Sequence, residues 1–190
     1  MEIENTEIKN VHFIHPQVFR DERGFFMETF QKDVWKEAGL DLTIVQANHS
    51  GSIKDVVRGL HFQWEPPMGK LMRVTKGAAF LVAVDIRKDS PTLGSWVGRE
   101  LDADEPQFFW APAGCARGFA VLSDYAEIQY LTTGTYNNKA ESGILWNDPA
   151  IGIKWPVASP ILSDKDKIAQ TLEQWLETSD SNNFTMEKSK

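Results

Sequence analysis

The 190-residue sequence contains a single cysteine, Cys115. One thiol excludes the internal disulfide framework that many small secreted domains use. No apolar run approaches the roughly 18 residues that a membrane-spanning helix needs. In addition, no charged, apolar and small-residue leader precedes the first strand-like run. We therefore expect a soluble protein of the cytoplasm.

Basic residues are also in short supply. Twenty Lys and Arg stand against 27 Asp and Glu, which gives a formal net charge of -7. A surface that coats a nucleic acid draws on an excess of lysine and arginine, so this composition argues against that class of partner. It remains compatible with a small anionic ligand that a few local cations hold.

Large apolar side chains are abundant, because 42% of the residues are hydrophobic and they include seven Trp and eleven Phe. A chain of this length fits one domain, which buries about 70% of the surface of its unfolded state. We predict a single domain over residues 1–178. The following segment, 179–190, reads SDSNNFTMEKSK and is polar and unpatterned, so we predict a disordered tail.

Most of residues 7–150 consists of short apolar or alternating runs. Turn-rich stretches such as DERG at 21–24 and DSPTLG at 89–94 separate these runs. Several strands at close spacing, with hardly any helical periodicity between them, are typical of a sandwich, jelly roll or small barrel. We predict an all-β fold with short peripheral helices.

Two segments have a helical pattern. KDVWKEAGL at 32–40 predicts a short helix that ends at Gly39. The second begins at Ser163, because Ser163 and Asp166 have the spacing of a capping pair. An apolar stripe continues this C-terminal helix toward residue 177: Ile168, Leu172, Trp175 and Leu176.

The histidines are His12, His15, His49 and His61. No two of them have the His-x-His spacing that puts two metal ligands on one face of a strand, although the first two could still meet by folding. The sequence therefore favours a site without a metal. Three of the four are interpreted as surface or capping residues.

His61 differs from the others because it lies on a predicted strand that is apolar on both sides. Strict alternation puts Val57, Gly59, His61 and Gln63 on one face and Val56, Arg58, Leu60 and Phe62 on the other. Two interpretations stay open for the imidazole. It is either a hydrogen-bonded core histidine or a general base that lines a cavity, since imidazole titrates near neutral pH.

Tyr130 is predicted to point inward, because alternation in AEIQYLTT places it on the apolar face with Ala126 and Ile128. Taken alone, it has an ordinary explanation as a core tyrosine whose hydroxyl finds a partner. Asp166 can be a helix-capping acid, and Lys70, which directly follows a Pro-Pro-Met-Gly turn, can be a solvated lysine. No single residue therefore identifies a site.

The order and spacing of seven tracts resemble the dTDP-4-dehydrorhamnose 3,5-epimerase family. The tracts are FRDERGFF (19–26), QANHS (46–50), VVRGLHFQ (56–63), MGKLMRV (68–74), VAVDIRKDSPT (82–92), WNDPAIGIKWP (146–156) and LSDKD (162–166). They cover about residues 5–170. RGLH followed shortly by GKLMRV is quite specific, whereas any one tract alone is weak.

The resemblance implies a cupin-type jelly-roll β-sandwich, a homodimer, and an active site without metal or cofactor. The implied reaction is epimerisation of a dTDP-linked 4-keto-6-deoxy sugar at C3 and C5 in dTDP-L-rhamnose biosynthesis. Carried over residue by residue, His61 would be the base, Asp166 its partner and Tyr130 the acid. Lys70 would be the fourth catalytic residue, near the ketone oxygen.

The resemblance also implies a set of substrate-binding residues. Arg58 would lie near the ketone oxygen with the lysine, and Arg23 and Lys165 would meet the diphosphate, with Arg23 reaching across the dimer. Gln46 and Asn48 would line the nucleotide site. The other implied substrate-binding residues are Phe26, Glu28, Arg117 and Tyr136.

The chain departs from the family pattern at several positions near the implied site. GCARGF at 114–119 stands where the family commonly has GFAHGF, so Arg117 and Cys115 replace a histidine and a phenylalanine. Leu81 occupies a position where an acid is usual, and the remaining departures are Ala47 and Thr135. Three alternatives therefore stay open: an epimerase that inverts one carbon or acts on another sugar, a catalytically silent cupin that binds a nucleotide sugar, and a metal-dependent cupin.

Overall fold

The structure is a computed structural model, and it describes residues 1–186. Over this range the strands are β1 (Glu2–Asn5), β2 (His12–His15), β3 (Val18–Asp21), β4 (Gly24–Met27), β5 (Gln46–Ile53), β6 (Val57–Gln63), β7 (Lys70–Lys76), β8 (Ala78–Asp85), β9 (Trp96–Asp102), β10 (Phe108–Ala111), β11 (Cys115–Val121), β12 (Tyr125–Thr132) and β13 (Glu141–Gly143). The helices are α1 (Lys32–Glu37), α2 (Asp164–Lys167) and α3 (Leu172–Glu177). A 3-10 helix covers Ser179–Asn183.

Two antiparallel sheets form a sandwich. One has six strands in the order β1-β2-β10-β7-β12-β5, and the other has five in the order β13-β6-β11-β8-β9. Alternating apolar residues from both sheets meet between them in the main core, which includes Phe13, Met72, Val74, Leu81, Phe109, Phe119 and Ile128. This is the packing expected when each strand turns every second side chain inward. The predicted β-sandwich is confirmed.

Chain segments outside the sandwich cover the outer face of each sheet. The C-terminal segment packs Trp175 and Phe184 against Leu60 and Phe62 of the five-stranded sheet. On the six-stranded sheet, Trp35 of α1 lies edge-on to Phe108, with ring centroids 5.6 Å apart. Because both sheets are apolar on two faces, the strands that carry the site are held rigidly from both sides.

The short helix predicted at 32–40 is confirmed as α1, and Gly39 follows it with a φ of +98°. The single C-terminal helix predicted from residue 163 is wrong, because the chain breaks into α2 and α3. Between them Gln170 forms an isolated parallel bridge with Ile144, the residue after β13, and its carbonyl accepts from the Leu145 N–H at 2.7 Å. Ile168 lies in the break and is 84% exposed.

The prediction of a disordered tail from residue 179 is wrong for the part that the structure describes. Phe184 is 1% exposed and packs on Trp175, and Ser181 donates to the Thr178 carbonyl at 2.6 Å. A single large aromatic side chain anchors a polar segment that has no helical or strand period. Residues 187–190 lie outside the described residues.

Two kinds of feature are absent from the described residues. No helix in residues 1–186 is long and apolar enough to cross a membrane. Within the same range, no group of three or more His, Cys, Asp and Glu side chains is arranged to hold a metal ion.

Candidate active site

His61 and Tyr130 lie on opposite sheets and line the same cavity. His61 is on β6 of the five-stranded sheet, whereas Tyr130 on β12 and Lys70 on β7 belong to the six-stranded sheet. All three line a cavity of about 290 Å³. They also line a smaller inner cavity of about 140 Å³ that continues toward the core. The imidazole and the phenol therefore face one space from its two sides.

A buried carboxylate orients the imidazole. Nε2 of His61 lies 2.6 Å from Oδ1 of Asp166, which is 3% exposed. Burial raises the pKa of Asp166, but hydrogen bonds from His61, Ser163 and the Gly59 backbone outweigh burial and hold its pKa below the ordinary value. The carboxylate thus stays ionised and accepts the Nε2 proton, which leaves Nδ1 as the basic nitrogen.

α2 brings Asp166 to His61 across 105 positions of sequence. Ser163 caps this helix, because its Oγ accepts from the Asp166 N–H at 3.2 Å. Of the predicted capping pair, the interaction made by the Ser163 side chain is therefore present. The aspartate side chain, however, bonds to the histidine, so Asp166 belongs to the first turn of α2 and also completes a dyad.

Arg58 lies on the cavity side of β6, together with His61. The prediction from strict alternation, which put these two residues on opposite faces, is wrong. Arg58 pairs with Phe119 and His61 with Arg117, so β6 uses one more residue than β11 between the two pairs. This bulge reverses the alternation and brings Arg58 and His61 to one cavity. Gly59 sits in the bulge with a φ of +130°, and a Cβ there would lie 2.7 Å from the Cα of Gly118.

Lys70 and Tyr130 are in contact and share a desolvated environment. The Lys70 ammonium lies 5.0 Å from the centre of the Tyr130 ring. Burial and, to a smaller extent, the positive charge of Arg117 lower the pKa of Lys70, whereas Glu141 raises it, and together they bring this pKa to about 7. Burial also raises the pKa of Tyr130, against the effect of Arg58, so the phenol stays protonated at neutral pH.

The predicted nucleotide-side residues lie at the wider end of the cavity. Gln46 and Asn48 face it from β5, and Nε2 of Gln46 donates to Oδ1 of Asn48 at 3.0 Å. The backbone N–H of Tyr136 donates to Oε1 of the same glutamine at 2.9 Å. Tyr136 is 60% exposed and forms part of the rim.

Glu141 is a cavity residue that sequence reasoning missed. Its Oε1 accepts from the Tyr136 hydroxyl at 2.9 Å and from Nζ of Lys165 at 2.5 Å. Burial raises the pKa of Glu141, but these two hydrogen bonds and the nearby His61 outweigh burial and hold it low. The three-residue strand β13 is too short to show an alternating pattern in the sequence. The pairing of Glu141 with Gln63 on β6 is what places Glu141 at the cavity.

The structure places the departures from the family pattern at different distances from the cavity. Arg117 lines the inner cavity and is 3% exposed. Leu81 is fully buried in the main core, and Ala47 is exposed between the two cavity-facing residues of β5. Thr135 contributes only its carbonyl, which accepts from Nε2 of Gln63 at 2.9 Å.

Three implied substrate-binding residues are not brought to this cavity within one chain. Arg23 lies in the turn of the β3–β4 hairpin, its side chain is 84% exposed, and it pairs with Asp21. Phe26 and Glu28 line a separate surface hollow beside Val34. The hairpin forms a two-stranded sheet of its own, apart from the sandwich.

The arrangement suits proton transfer next to a carbonyl group. A carboxylate-supported imidazole stands on one side of the cavity and a protonated phenol on the other, so a proton can leave one face of a ring and return to the opposite face. Cations at Lys70, Arg58 and Arg117 line the space between, where they can stabilise a developing oxyanion.

Comparisons with known proteins agree with this geometry. The family model described as dTDP-4-dehydrorhamnose 3,5-epimerase matches residues 5–174. The protein of that name from Shigella flexneri is 54% identical over 168 residues, which cover 87% of this chain and 93% of that protein. A dTDP-4-dehydrorhamnose 3-epimerase from Streptomyces niveus is 38% identical over 92% of this chain and 85% of that protein.

A solved structure extends the likeness to the fold. The dTDP-6-deoxy-D-glucose-3,5-epimerase of Legionella pneumophila, in complex with dTDP-4-keto-L-rhamnose, matches with a TM-score of 0.90 at 42% identity and covers 95% of this chain and 96% of that chain. The cupin-type jelly roll implied by the sequence is thus confirmed. This chain belongs to the dTDP-4-dehydrorhamnose 3,5-epimerase family of isomerases.

Proposed function

We propose that this chain inverts C3 and C5 of a dTDP-linked 4-keto-6-deoxy sugar through an enolate, in the route to dTDP-L-rhamnose. The observation that carries the proposal is the position of His61 and Tyr130 on opposite walls of one cavity. Inversion beside a ketone needs a base on one face of the sugar and an acid on the other. The names of the relatives support the choice of substrate.

His61 begins the reaction. Its Nδ1 lone pair takes the proton from the carbon next to the ketone, the C–H electron pair forms the enolate, and the ring becomes an imidazolium. Asp166 stabilises this cation through the hydrogen bond to Nε2, as a carboxylate does behind the histidine of a hydrolase. The carboxylate keeps its own charge throughout, because its pKa is held low.

Tyr130 completes the inversion. Its phenolic proton passes to the opposite face of the enolate carbon, the enolate electrons form the new C–H bond, and the phenol is left as phenolate. Exchange with solvent then returns a proton to the phenolate and removes one from the imidazolium. The same pair acts on the second carbon after the sugar turns or shifts in the cavity.

Positive charge lowers the barrier to the enolate. Lys70 and Arg58 lie beside the reacting groups, and a well-placed donor to an oxyanion is worth on the order of 3 kcal/mol in a site screened from water. General acid and base assistance contributes about 10²- to 10⁴-fold in rate. The two effects are therefore comparable, and neither alone accounts for an enzymatic acceleration.

The wild-type protein with dTDP-4-keto-6-deoxyglucose in heavy water tests the proposal. We expect one deuteron at C3 and one at C5 of the product by NMR, since both protons pass through exchangeable groups. A deuteron at one carbon only would identify a one-centre epimerase. Thermal stabilisation by the nucleotide sugar without any deuterium uptake would contradict the proposed reaction and favour a binding protein.

The remaining residues implied to bind the nucleotide and diphosphate fit a homodimer. Gln46, Asn48 and Tyr136 line the cavity in one chain, and Lys165 bonds to the cavity residue Glu141. Arg23, Phe26 and Glu28 belong to the hairpin region. That hairpin exposes Phe19, Phe25 and Phe26 by 55%, 57% and 68%. We propose that the hairpin packs on a second copy of this chain and brings Arg23 to the diphosphate of the partner's cavity.

Mixing two inactive variants tests this shared site. His61→Asn and Arg23→Gln are each expected to be severely impaired alone. After unfolding and refolding together, half of the dimers contain one of each, and one of their two sites has both native residues. We expect roughly a quarter of the wild-type activity to return.

A second mixture is the matched control. His61→Asn refolded with Tyr130→Phe should recover nothing, because the proposal places both residues in the same chain's cavity and no site becomes intact. Recovery in neither mixture would contradict a site shared between two chains.

A further inference from the structure

Arg117 is fixed in place by the main chain around it. Nη1 and Nη2 both donate to the carbonyl of Met68, at 2.9 and 2.6 Å, and Nη1 also donates to the carbonyl of Cys115 at 3.0 Å. The residue is 3% exposed. Its Nε has no hydrogen-bond partner among the described residues. The guanidinium therefore cannot turn away from the inner cavity that it lines.

The carbonyl that Arg117 holds belongs to the segment that leads into Lys70. Met68 lies two positions before Lys70, and the N–H of Gly69 between them donates to Oγ1 of Thr133 at 2.8 Å. A Cβ on Gly69 would lie 2.4 Å from the ring of Trp110, so the main chain of this segment packs directly against that ring. The hydrogen bonds from Arg117 to Met68 thus help to fix the main-chain position of Lys70.

Arg117 and Lys70 also share a charged environment. The titratable and charged groups that line the two cavities around Lys70 are Arg58, His61, Arg117, Tyr130, Tyr136 and Glu141, with Asp166 behind the imidazole. Of these, Arg117 is the permanent buried cation whose charge acts on Lys70 together with burial, and Glu141 acts in the opposite sense. Two cations in a small, desolvated space each disfavour the charge of the other.

We propose that Arg117 is a positioning residue for Lys70: it fixes the lysine at the ketone and keeps a second, permanent positive charge beside it. The inference rests on the proposed function for the role of Lys70 at the ketone. Because both terminal nitrogens of Arg117 already donate to main-chain carbonyls, Arg117 acts on Lys70 through the main chain and through its charge.

The charge state of Lys70 should make the reaction depend on pH. Lys70, with its pKa lowered to about 7, is an ammonium below that pH and loses its charge as the pH rises through it. Only the charged form stabilises the enolate oxygen, so kcat/KM should fall on the alkaline side from about pH 7. Removing the Arg117 charge lets Lys70 stay charged to higher pH, so the alkaline fall moves upward.

The test titrates Lys70 directly and without substrate. Lysines are labelled by reductive ¹³C-methylation, and the pH titration of the methyl resonances is followed by NMR. Lys70→Gln assigns the resonance by its loss. We expect a midpoint near pH 7 in the wild type and a higher midpoint in Arg117→Gln.

Arg117→His is the second variant, because the family resemblance places a histidine there and the substitution should preserve the fold. Since a buried histidine is neutral above about pH 7, its effect on the Lys70 midpoint should match that of the glutamine. The alkaline limb of kcat/KM should move with the midpoint in each variant. A purely structural role would lower the rate at every pH and leave the limb in place.

Two results would overturn the proposal: a wild-type midpoint near 10, or equal midpoints in the wild type and the Arg117 variants. Failure of the proposed function is distinguishable, because a protein without epimerase activity still yields the NMR titration. If Arg117→Gln does not fold, Arg117→His supplies the comparison with the wild type.

Discussion

Replacement of His61 by asparagine is expected to stop deuterium uptake at both C3 and C5. Asparagine can keep a hydrogen bond to Asp166, so the loss reports the missing base and not a collapsed loop. Because the same imidazole is proposed to remove both protons, the two carbons should fail together. The rate should fall by about 10²- to 10⁴-fold, which is roughly 3 to 5 kcal/mol in the barrier.

His49→Asn is the matched control for this variant. His49 is also a strand histidine beside a carboxylate, with Nε2 3.1 Å from Oε2 of Glu127, but it lies among the exposed residues of β5. Its replacement should leave exchange unchanged. Undiminished exchange at both carbons in His61→Asn would remove His61 from the mechanism.

Replacement of Tyr130 by phenylalanine is expected to separate the two halves of the reaction. Proton abstraction by His61 does not need the phenol, so the sugar should still exchange its protons for deuterons on the original face. Inversion does need it, and its rate should fall by about 10²- to 10⁴-fold. The ratio of exchange to inversion, measured by NMR in heavy water, should therefore rise well above the wild-type value.

Tyr125→Phe, on the same strand and 39% exposed, is the control and should leave the ratio unchanged. Equal losses of exchange and inversion in Tyr130→Phe would contradict a role confined to the second proton transfer. They would instead indicate that the phenol holds the sugar or the ketone during both steps.

Local periodicity predicted one half of the site. The alternation in β12 correctly placed Tyr130 on the inward face with Ala126 and Ile128, because that strand pairs along most of its length with β5 without a break. It failed on β6, where one extra residue at the bulge reverses the faces and moves Arg58 to the cavity. A period of two cannot report where a strand slips by one residue.

Contacts between distant segments were not readable from local patterns. The dyad joins positions 61 and 166, and Glu141 enters the site only because β13 adds to the edge of the five-stranded sheet. For the dyad, the family resemblance supplied what periodicity could not. The resemblance did not predict the break after α2, which depends on a single bridge between Ile144 and Gln170. It also did not predict the ordered segment after residue 178, which depends on the burial of Phe184.

Some expectations from the sequence remain predictions. The site roles, the homodimer and the cytoplasmic location are in this group. The dimer matters most for function, because Arg23 is exposed on the hairpin in one chain.

The most direct test of the central claim is the position of a bound sugar in a crystal structure with a dTDP-linked hexose. The account predicts a sugar ring between the two sheets, with Nδ1 of His61 facing one side, the hydroxyl of Tyr130 facing the other, and C4 directed toward Lys70. A sugar bound outside this cavity, or with both side chains on the same face of its ring, would contradict it.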